Sequence, residues 1–131
     1  MKREFDIYLV DDDEDFLFLY HTMVTKAGYK AKKFNNPKDV IEAISESPPK
    51  ILILDLLMPD FNGDELMIKV SELKLINSFI PIMLSSADFN DKKRFELGSL
   101  GLDIILSKTA STEEFLRVVE ENMNEWKVEY S

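Results

Sequence analysis

The chain has 131 residues, the size of one ordinary domain, and 45% of them are apolar, enough to bury a core. It has no cysteine, which excludes disulfides and thiolate metal sites. A formal net charge of −9 argues against the chain itself binding nucleic acid, whose phosphates need clustered Lys and Arg.

In chain order, residues 5–10 are a short, mostly apolar run rich in strand-forming types. Residues 11–15 follow as an acidic loop. Phe16, Leu19, Tyr20, Met23, Val24 and Ala27 then recur at three- and four-residue steps, an amphipathic helix that Gly28 stops. Residues 29–34 read as a second strand, partly polar and near a sheet edge. Asn36-Pro37 offers an N-cap followed by proline at the first helical position, and Val40, Ile41 and Ile44 mark a short helix ended by Pro48-Pro49. Residues 51–54 are a compact apolar strand ending in Asp55, and Met58-Pro59-Asp60-Phe61-Asn62-Gly63 reads as a loop. Leu66, Met67, Val70, Leu73 and Ile76 give the third helix its apolar stripe. Residues 80–85 form a fourth strand, with Pro81 at its start where a missing N–H matters least. A weak helix spans about 90–97, broken by Gly98 and Gly101, and residues 103–107 form a fifth strand. Ser111 with Glu114 makes a capping box. Phe115, Leu116, Val119, Met123 and Trp126 line the last helix, and the residues beyond 126 are expected to fray.

The order is βα five times over, which implies a parallel sheet with helices on both faces. The longest apolar stretch, 51–58, is interrupted by Asp55 and too short to span a bilayer. The first ten residues, MKREFDIYLV, lack the apolar core of a secretory leader. A soluble cytoplasmic protein without membrane contact is expected.

In an open parallel sheet, ligands bind beyond the carboxyl ends of the strands. Strand one ends in Asp11, Asp12 and Asp13; strand three in Asp55; strand four in Ser85 and Ser86; strand five in Ser107 and Lys108. Carboxylates gathered this closely repel by roughly 4 kcal/mol per pair at ~4 Å and an effective dielectric of about 20. Such a cluster persists if it takes up protons or binds a cation, and hard oxygen ligands suit Mg²⁺. A nucleophilic carboxylate, a metal, a cation and a hydroxyl are the parts that phosphoryl transfer needs. Asp13 and Asp15 read instead as cap or turn residues.

These residues resemble the receiver domains of two-component response regulators. Leu9-Val10-Asp11-Asp12-Asp13 resembles the acidic end of the family's first strand. Residues 51–59, ILILDLLMP, with Gly63 beyond them, resemble its phosphorylation segment. Pro81-Ile82-Met83-Leu84-Ser85-Ser86-Ala87 resembles its fourth strand, and residues 101–108 resemble its fifth strand with the lysine. The resemblance covers about residues 5–126. It implies a flavodoxin-like, doubly wound (βα)5 α/β fold with strand order 2-1-3-4-5. Residues 1–131 are then expected to be a single receiver domain with no output domain. It implies that Asp55 is the phosphoacceptor, not an enzyme's turnover site, taking phosphate from a sensor histidine kinase or phosphotransfer protein. It also implies Mg²⁺ held by Asp11, Asp12, Asp55 and the Leu57 carbonyl, with Ser86 and Lys108 answering the phosphoryl group. Ser85 competes with Ser86; the spacing from Pro81 and the following Ala87 favour Ser86. Output is expected through an effector protein, from a monomer or weak dimer.

The chain departs from the family pattern at three positions. Thr109 stands where proline usually follows the lysine, so a trans bond or a shifted loop is expected. Ile105 stands where an aromatic switch residue is frequent. Leu57 is apolar beside the acceptor, while Asp88 offers a carboxylate two residues past Ser86. Ile105 and Thr109 motivate an alternative, a phosphorylation-independent binding module on the same fold. A phosphatase of the haloacid dehalogenase type would want a second Asp two residues after the nucleophile, where this chain has Leu57. His21 reads as a surface or rim residue, and Phe61, Phe89 and Trp126 as core or capping aromatics.

Overall fold

The computed structural model of the chain describes residues 3–55, 63–74, 78–85 and 91–130. Five strands and five helices alternate: β1 (Ile7–Val10), α1 (Glu14–Lys26), β2 (Ala31–Phe34), α2 (Pro37–Glu46), β3 (Ile51–Asp55), α3 (Gly63–Glu72), β4 (Ile80–Ser85), α4 (Asp91–Ser99), β5 (Ile104–Ser107) and α5 (Thr112–Tyr130). The strands make one parallel sheet in the order β2-β1-β3-β4-β5, the flavodoxin-like order expected.

Side chains of a strand point alternately to opposite faces, and here both faces are buried. Ile7, Leu9, Ile51, Ile53, Ile80 and Ile82 pack under α1 and α5, against Leu17, Tyr20, Val24, Phe115, Val119, Met123 and Trp126. Tyr8, Val10, Leu52, Leu54 and Met83 pack on the other face against Val40, Ile44, Leu66, Met67, Val70 and Leu97. β1 and the first four residues of β3 are therefore continuous apolar runs, while the edge strand β2 buries only its two ends.

The register fixes what lies at the rim. Leu9 pairs with Ile53 and Val10 with Leu54, so the next step brings Asp11 level with Asp55. Both continue the odd-numbered, α1/α5-facing set. Leu84 pairs with Leu106, and Ile104 and Leu106 belong to that same face, so Lys108 follows them toward it. Period-two alternation alone thus aims the two acids and the lysine into one corner.

The N-cap acceptors stand where the sequence puts them. Asn36 Oδ1 accepts from the Asp39 N–H at 2.9 Å, with Pro37 opening α2. Ser111 Oγ accepts from the Glu114 N–H at 3.1 Å. Gly28, at φ +99, ends α1 in the left-handed region.

Several expectations are corrected. Leu19 stands 46% exposed, because Leu17 rather than Leu19 faces the sheet. Leu73 is 47% exposed, since α3 ends at Glu72 and Lys74 turns the chain at φ 60. Gly98 lies inside α4, where a Cβ would meet Asp103 Oδ1 at 3.0 Å; Gly101, at φ +87, makes the break. α5 continues past Trp126 to Tyr130; Trp126 itself is buried, with the Arg3 guanidinium 4.9 Å from its ring. Among the described residues, no helix is long and apolar enough to cross a membrane.

Candidate functional site

The site is built at the carboxyl ends of β1, β3 and β5. Asp11 follows β1 and is 3% exposed, Asp55 closes β3 and is 8% exposed, and Asp12 stands beside them in solvent. One oxygen from each of the three carboxylates lies within 4.8 Å of the others. Lys108 reaches in from the end of β5. Its Nζ donates to Asp11 Oδ2 at 2.8 Å and stands 3.2 Å from Asp55 Oδ2, with its side chain 10% exposed. The Lys108 N–H donates to the Ser85 carbonyl at 2.9 Å, which ties the lysine to the end of β4.

The acidic loop divides into separate jobs. Asp11 Oδ1 accepts from the Asp13 N–H at 3.0 Å, leaving Oδ2 for the lysine. Asp13 is the N-cap of α1, its Oδ1 accepting from the N–H groups of Asp15 and Phe16 at 2.9 and 3.4 Å. Asp13 is thus the cap residue expected. Asp15 lies in the first turn, where negative charge meets the positive end of the helix.

Burial pushes the Asp11 carboxyl above its ordinary range; the Lys108 and Asp13 hydrogen bonds pull it down without cancelling that, and the Asp55 charge adds to the rise. Asp12 is also raised, by partial desolvation first and by its bond and proximity to Asp11 next. Desolvation lowers Lys108, but the Asp11 hydrogen bond and the charges of Asp11 and Asp55 outweigh it, and the net shift is upward. The pocket therefore holds a firmly charged cation beside two carboxyls, Asp11 and Asp12, whose ionisation burial disfavours. That is an arrangement poised for further positive charge. Hard oxygens from Asp11, Asp12 and Asp55 fit a divalent cation such as Mg²⁺.

Beyond Lys108, Ser107 Oγ accepts from the Thr109 N–H at 3.1 Å and lies 2.7 Å from Thr109 Oγ1. No described peptide bond is cis, so the trans bond expected at Thr109 is present. Ile105, on the opposite face of β5, packs part-buried against the α2/α3/α4 core. Leu57, Ser86, Asp88, Phe61 and Phe89 lie outside the described residues, as do Ile76 of the third stripe and the loop 58–62. His21 is half-buried with Nε2 3.2 Å from the Ala31 carbonyl, a structural contact of α1 with β2.

One neighbour of the site escaped the sequence reading. The Phe16 ring lies 4.3 Å from Lys108 Nζ. In the sequence Phe16 is one more apolar member of the α1 stripe, and no signal separates it from the rest.

Comparison with known proteins shows the family. A family model for the response regulator receiver domain matches residues 7–120. Transcriptional regulatory protein GltR of Pseudomonas aeruginosa is 29% identical over 110 residues, 84% of this chain and 45% of that protein. The uncharacterized 14.6 kDa protein in the sodA1 3′ region of Leptolyngbya boryana is 29% identical over 118 residues, 90% of this chain and 89% of that protein. The response regulator receiver protein CpdR of Brucella abortus is 34% identical over 73 residues, 56% of this chain and 58% of that protein. The chain thus spans less than half of GltR and nearly all of the Leptolyngbya protein. Among solved structures, the CheY-like receiver domain protein of Methanospirillum hungatei JF-1 superposes with a TM-score of 0.84 at 21% identity, over 94% of this chain and 96% of that one. The receiver domain of Francisella response regulator 1452 gives 0.81 at 20% identity, over 93% and 98%. Those two likenesses speak to the fold.

Proposed function

The chain belongs to the response regulator receiver domain family, and from that premise we propose that Asp55 accepts a phosphoryl group from a phosphohistidine. The donor is a sensor histidine kinase or a phosphotransfer protein, met in the cytoplasm. The observation that carries this reading is the corner itself: Asp55 at the end of β3, within reach of two further aspartates and 3.2 Å from Lys108 Nζ.

In the transfer, an Asp55 carboxylate oxygen attacks phosphorus in line. The P–N bond to the donor imidazole breaks as the P–O bond forms, and the imidazole leaves with the electron pair. Asp11, Asp12, Asp55 and the Leu57 carbonyl would hold Mg²⁺, which when bound neutralises the phosphoryl oxygens. Asp11 fixes the lysine before the reaction. Lys108 then turns part of its charge to a phosphoryl oxygen, and the Ser86 hydroxyl follows the same group. Phosphate leaves again by slow hydrolysis at Asp55. The change is passed as a population shift to a surface that an effector protein reads.

A second reading, a receiver fold used as a phosphorylation-independent binding module, draws on β5. Ile105 is an aliphatic residue packed in the core, and the Ser107–Thr109 bonds give the lysine a fixed flank. One experiment separates the two. The chain is incubated with a small phosphodonor such as acetyl phosphate, with and without Mg²⁺, and acid-labile phosphate is counted. Mg²⁺-dependent uptake that Asp55→Asn abolishes is the expected result. Uptake that persists in Asp55→Asn, or none in the unaltered chain, overturns the phosphoacceptor reading.

A further inference from the structure

Lys108 carries three N–H donors and is nine-tenths buried at its side chain. Two directions are taken by Asp11 Oδ2 at 2.8 Å and Asp55 Oδ2 at 3.2 Å. On another side lies the Phe16 ring, 4.3 Å from Nζ to centroid. An aromatic face is negative, and an ammonium packed on it is attracted, more so out of water. We propose that Phe16 is a positioning residue for the Lys108 ammonium. It holds Nζ over the phosphorylation corner while the carboxylate partners change. This inference rests on the phosphoacceptor reading for its consequence, though not for its contact.

The placement of the ring is itself determined by the acids. The Asp13 N–H donates to Asp11 Oδ1, and Asp13 Oδ1 caps the Phe16 N–H. Asp11 Oδ2 returns to Lys108. Asp11, Asp13, Phe16 and Lys108 thus close a loop of contacts in which one carboxylate bonds the lysine directly and sets the helix turn that presents the ring. Phe16 is further backed by Tyr20, stacked at 5.8 Å and 17°, and Tyr20 by Phe115 of α5 at 4.8 Å. The ring is buttressed to the core rather than free to swing away.

The consequence follows from what phosphorylation asks of Lys108. When a phosphoryl group arrives at Asp55, the lysine redirects one donor while remaining in the corner. The Asp55 contact is the one exchanged at that moment, so the ring adds to what Asp11 alone retains. A ring face makes no directional demand, so Nζ can pivot beneath it and keep its attraction.

The test reads the contact and the reaction separately, on the whole chain. A lysine ε-methylene held near a ring face resonates upfield of solvent-exposed lysines. NMR of the Mg²⁺-free chain should show Lys108 displaced upfield. The shift should vanish in Phe16→Leu, which keeps an apolar body but no π face, and persist in Phe16→Tyr. An unshifted Lys108, or one still shifted in Phe16→Leu, overturns the contact. In the second arm, the rate of phosphate uptake from acetyl phosphate with saturating Mg²⁺ should fall about five-fold in Phe16→Leu, and stay within about two-fold in Phe16→Tyr. Equal rates in the unaltered chain and Phe16→Leu overturn the positioning role while leaving Asp55 as acceptor. If the unaltered chain takes up no phosphate, the Asp55 reading and the role in transfer both fall. The resonance still decides whether the ring holds the lysine.

Discussion

Lys108 and Asp11 stand 97 residues apart in the chain and 2.8 Å apart in space, with Lys108 Nζ donating to Asp11 Oδ2. The lysine lies closer to Asp11 than to Asp55, at 3.2 Å. Asp11 is therefore the nearer partner, and Asp55 shares the same ammonium. The sheet makes this possible: β1 and β3 pair in register, β4 intervenes, and β5 delivers the cation from the far side.

Removing the cation exposes the cost of the arrangement. Lys108→Ala leaves the Asp11 and Asp55 carboxylates buried without its charge. Breaking a buried pair by deleting one partner typically destabilises by about 3–5 kcal/mol; with the side chains about a tenth exposed, about 3 kcal/mol is expected. Urea denaturation of the Mg²⁺-free chain measures it. Added Mg²⁺ should recover part of the loss, because it returns positive charge to the same oxygens. A loss that Mg²⁺ leaves untouched would mean that Lys108 acts by packing rather than by charge.

Mg²⁺ should stabilise the unaltered chain by linkage, about 1.4 kcal/mol at a free concentration ten times the Kd. Asp55→Asn and Asp12→Asn should each shrink that gain at equal Mg²⁺, since each replaces a charged donor by a neutral one. Thermal unfolding at stepped Mg²⁺ concentrations reads both. The two variants are informative together, because Asp55 is buried and Asp12 exposed. A gain unchanged in both would place the ion elsewhere.

The raised carboxyls set a pH dependence of a specific sign. Folding lifts Asp11 and Asp12 above their ordinary 3.8. The Mg²⁺-free native state therefore binds protons more tightly than the unfolded chain over the window from 3.8 up to the folded values. In that window their contribution to stability falls as pH rises. Mg²⁺ binding runs the other way, because the ion competes with those protons, so its affinity should weaken on acidification before pH reaches 3.8. Lys108, raised above 10.5, adds stability that is complete below that value and is lost as pH rises through its folded value. Urea midpoints across a pH series, with and without Mg²⁺, should show opposite slopes on the acid side.

Thr109 occupies a position whose bonds a proline could not make. Thr109→Pro removes the N–H that Ser107 Oγ accepts, at about 1 kcal/mol, and restrains the Lys108 backbone as well. Thr109→Ala keeps the N–H and loses only the hydroxyl contact. The proline variant should be the less stable and the slower in phosphate uptake; a more stable proline variant would show that the turn accepts the family's residue unaided.

Fold and site differed in how much of them was legible beforehand. Alternation of strands and helices sufficed for a parallel sheet, and the strand ends for Asp11, Asp55 and Lys108; the strand order came from the family resemblance, because periodicity within a strand does not say which strand lies beside it. Caps were legible because Asn36 and Ser111 bond locally. What escaped depends on long-range packing. Gly98 lies inside α4 next to the buried Leu97, and α5 runs on past a Trp126 that is buried with Arg3 over its ring. Phe16 was hidden for the same reason: an apolar residue at helical spacing carries no mark of what its outer face touches.

The three aspartates after β1 should separate cleanly by substitution. Asp13→Ala deletes the N-cap of α1, removing the acceptor for two N–H groups, and should destabilise by about 1 kcal/mol, with Asp13→Asn restoring most of it. Asp12→Ala should leave urea stability within about 0.5 kcal/mol, since Asp12 is exposed and caps nothing, yet weaken Mg²⁺ binding at least as much as Asp12→Asn. Asp11→Ala should do both. It deletes a proposed metal ligand, removes the acceptor of the Asp13 N–H and unties Lys108, so its loss of stability should exceed that of Asp13→Ala. Parallel urea and Mg²⁺ titrations of the three alanine variants test the division. If Asp12→Ala proved the most destabilising, or Asp13→Ala the most damaging to Mg²⁺ binding, the roles read from the hydrogen bonds would be wrong. The acidic triplet would then be one shared patch of charge rather than a ligand between a lysine anchor and a helix cap.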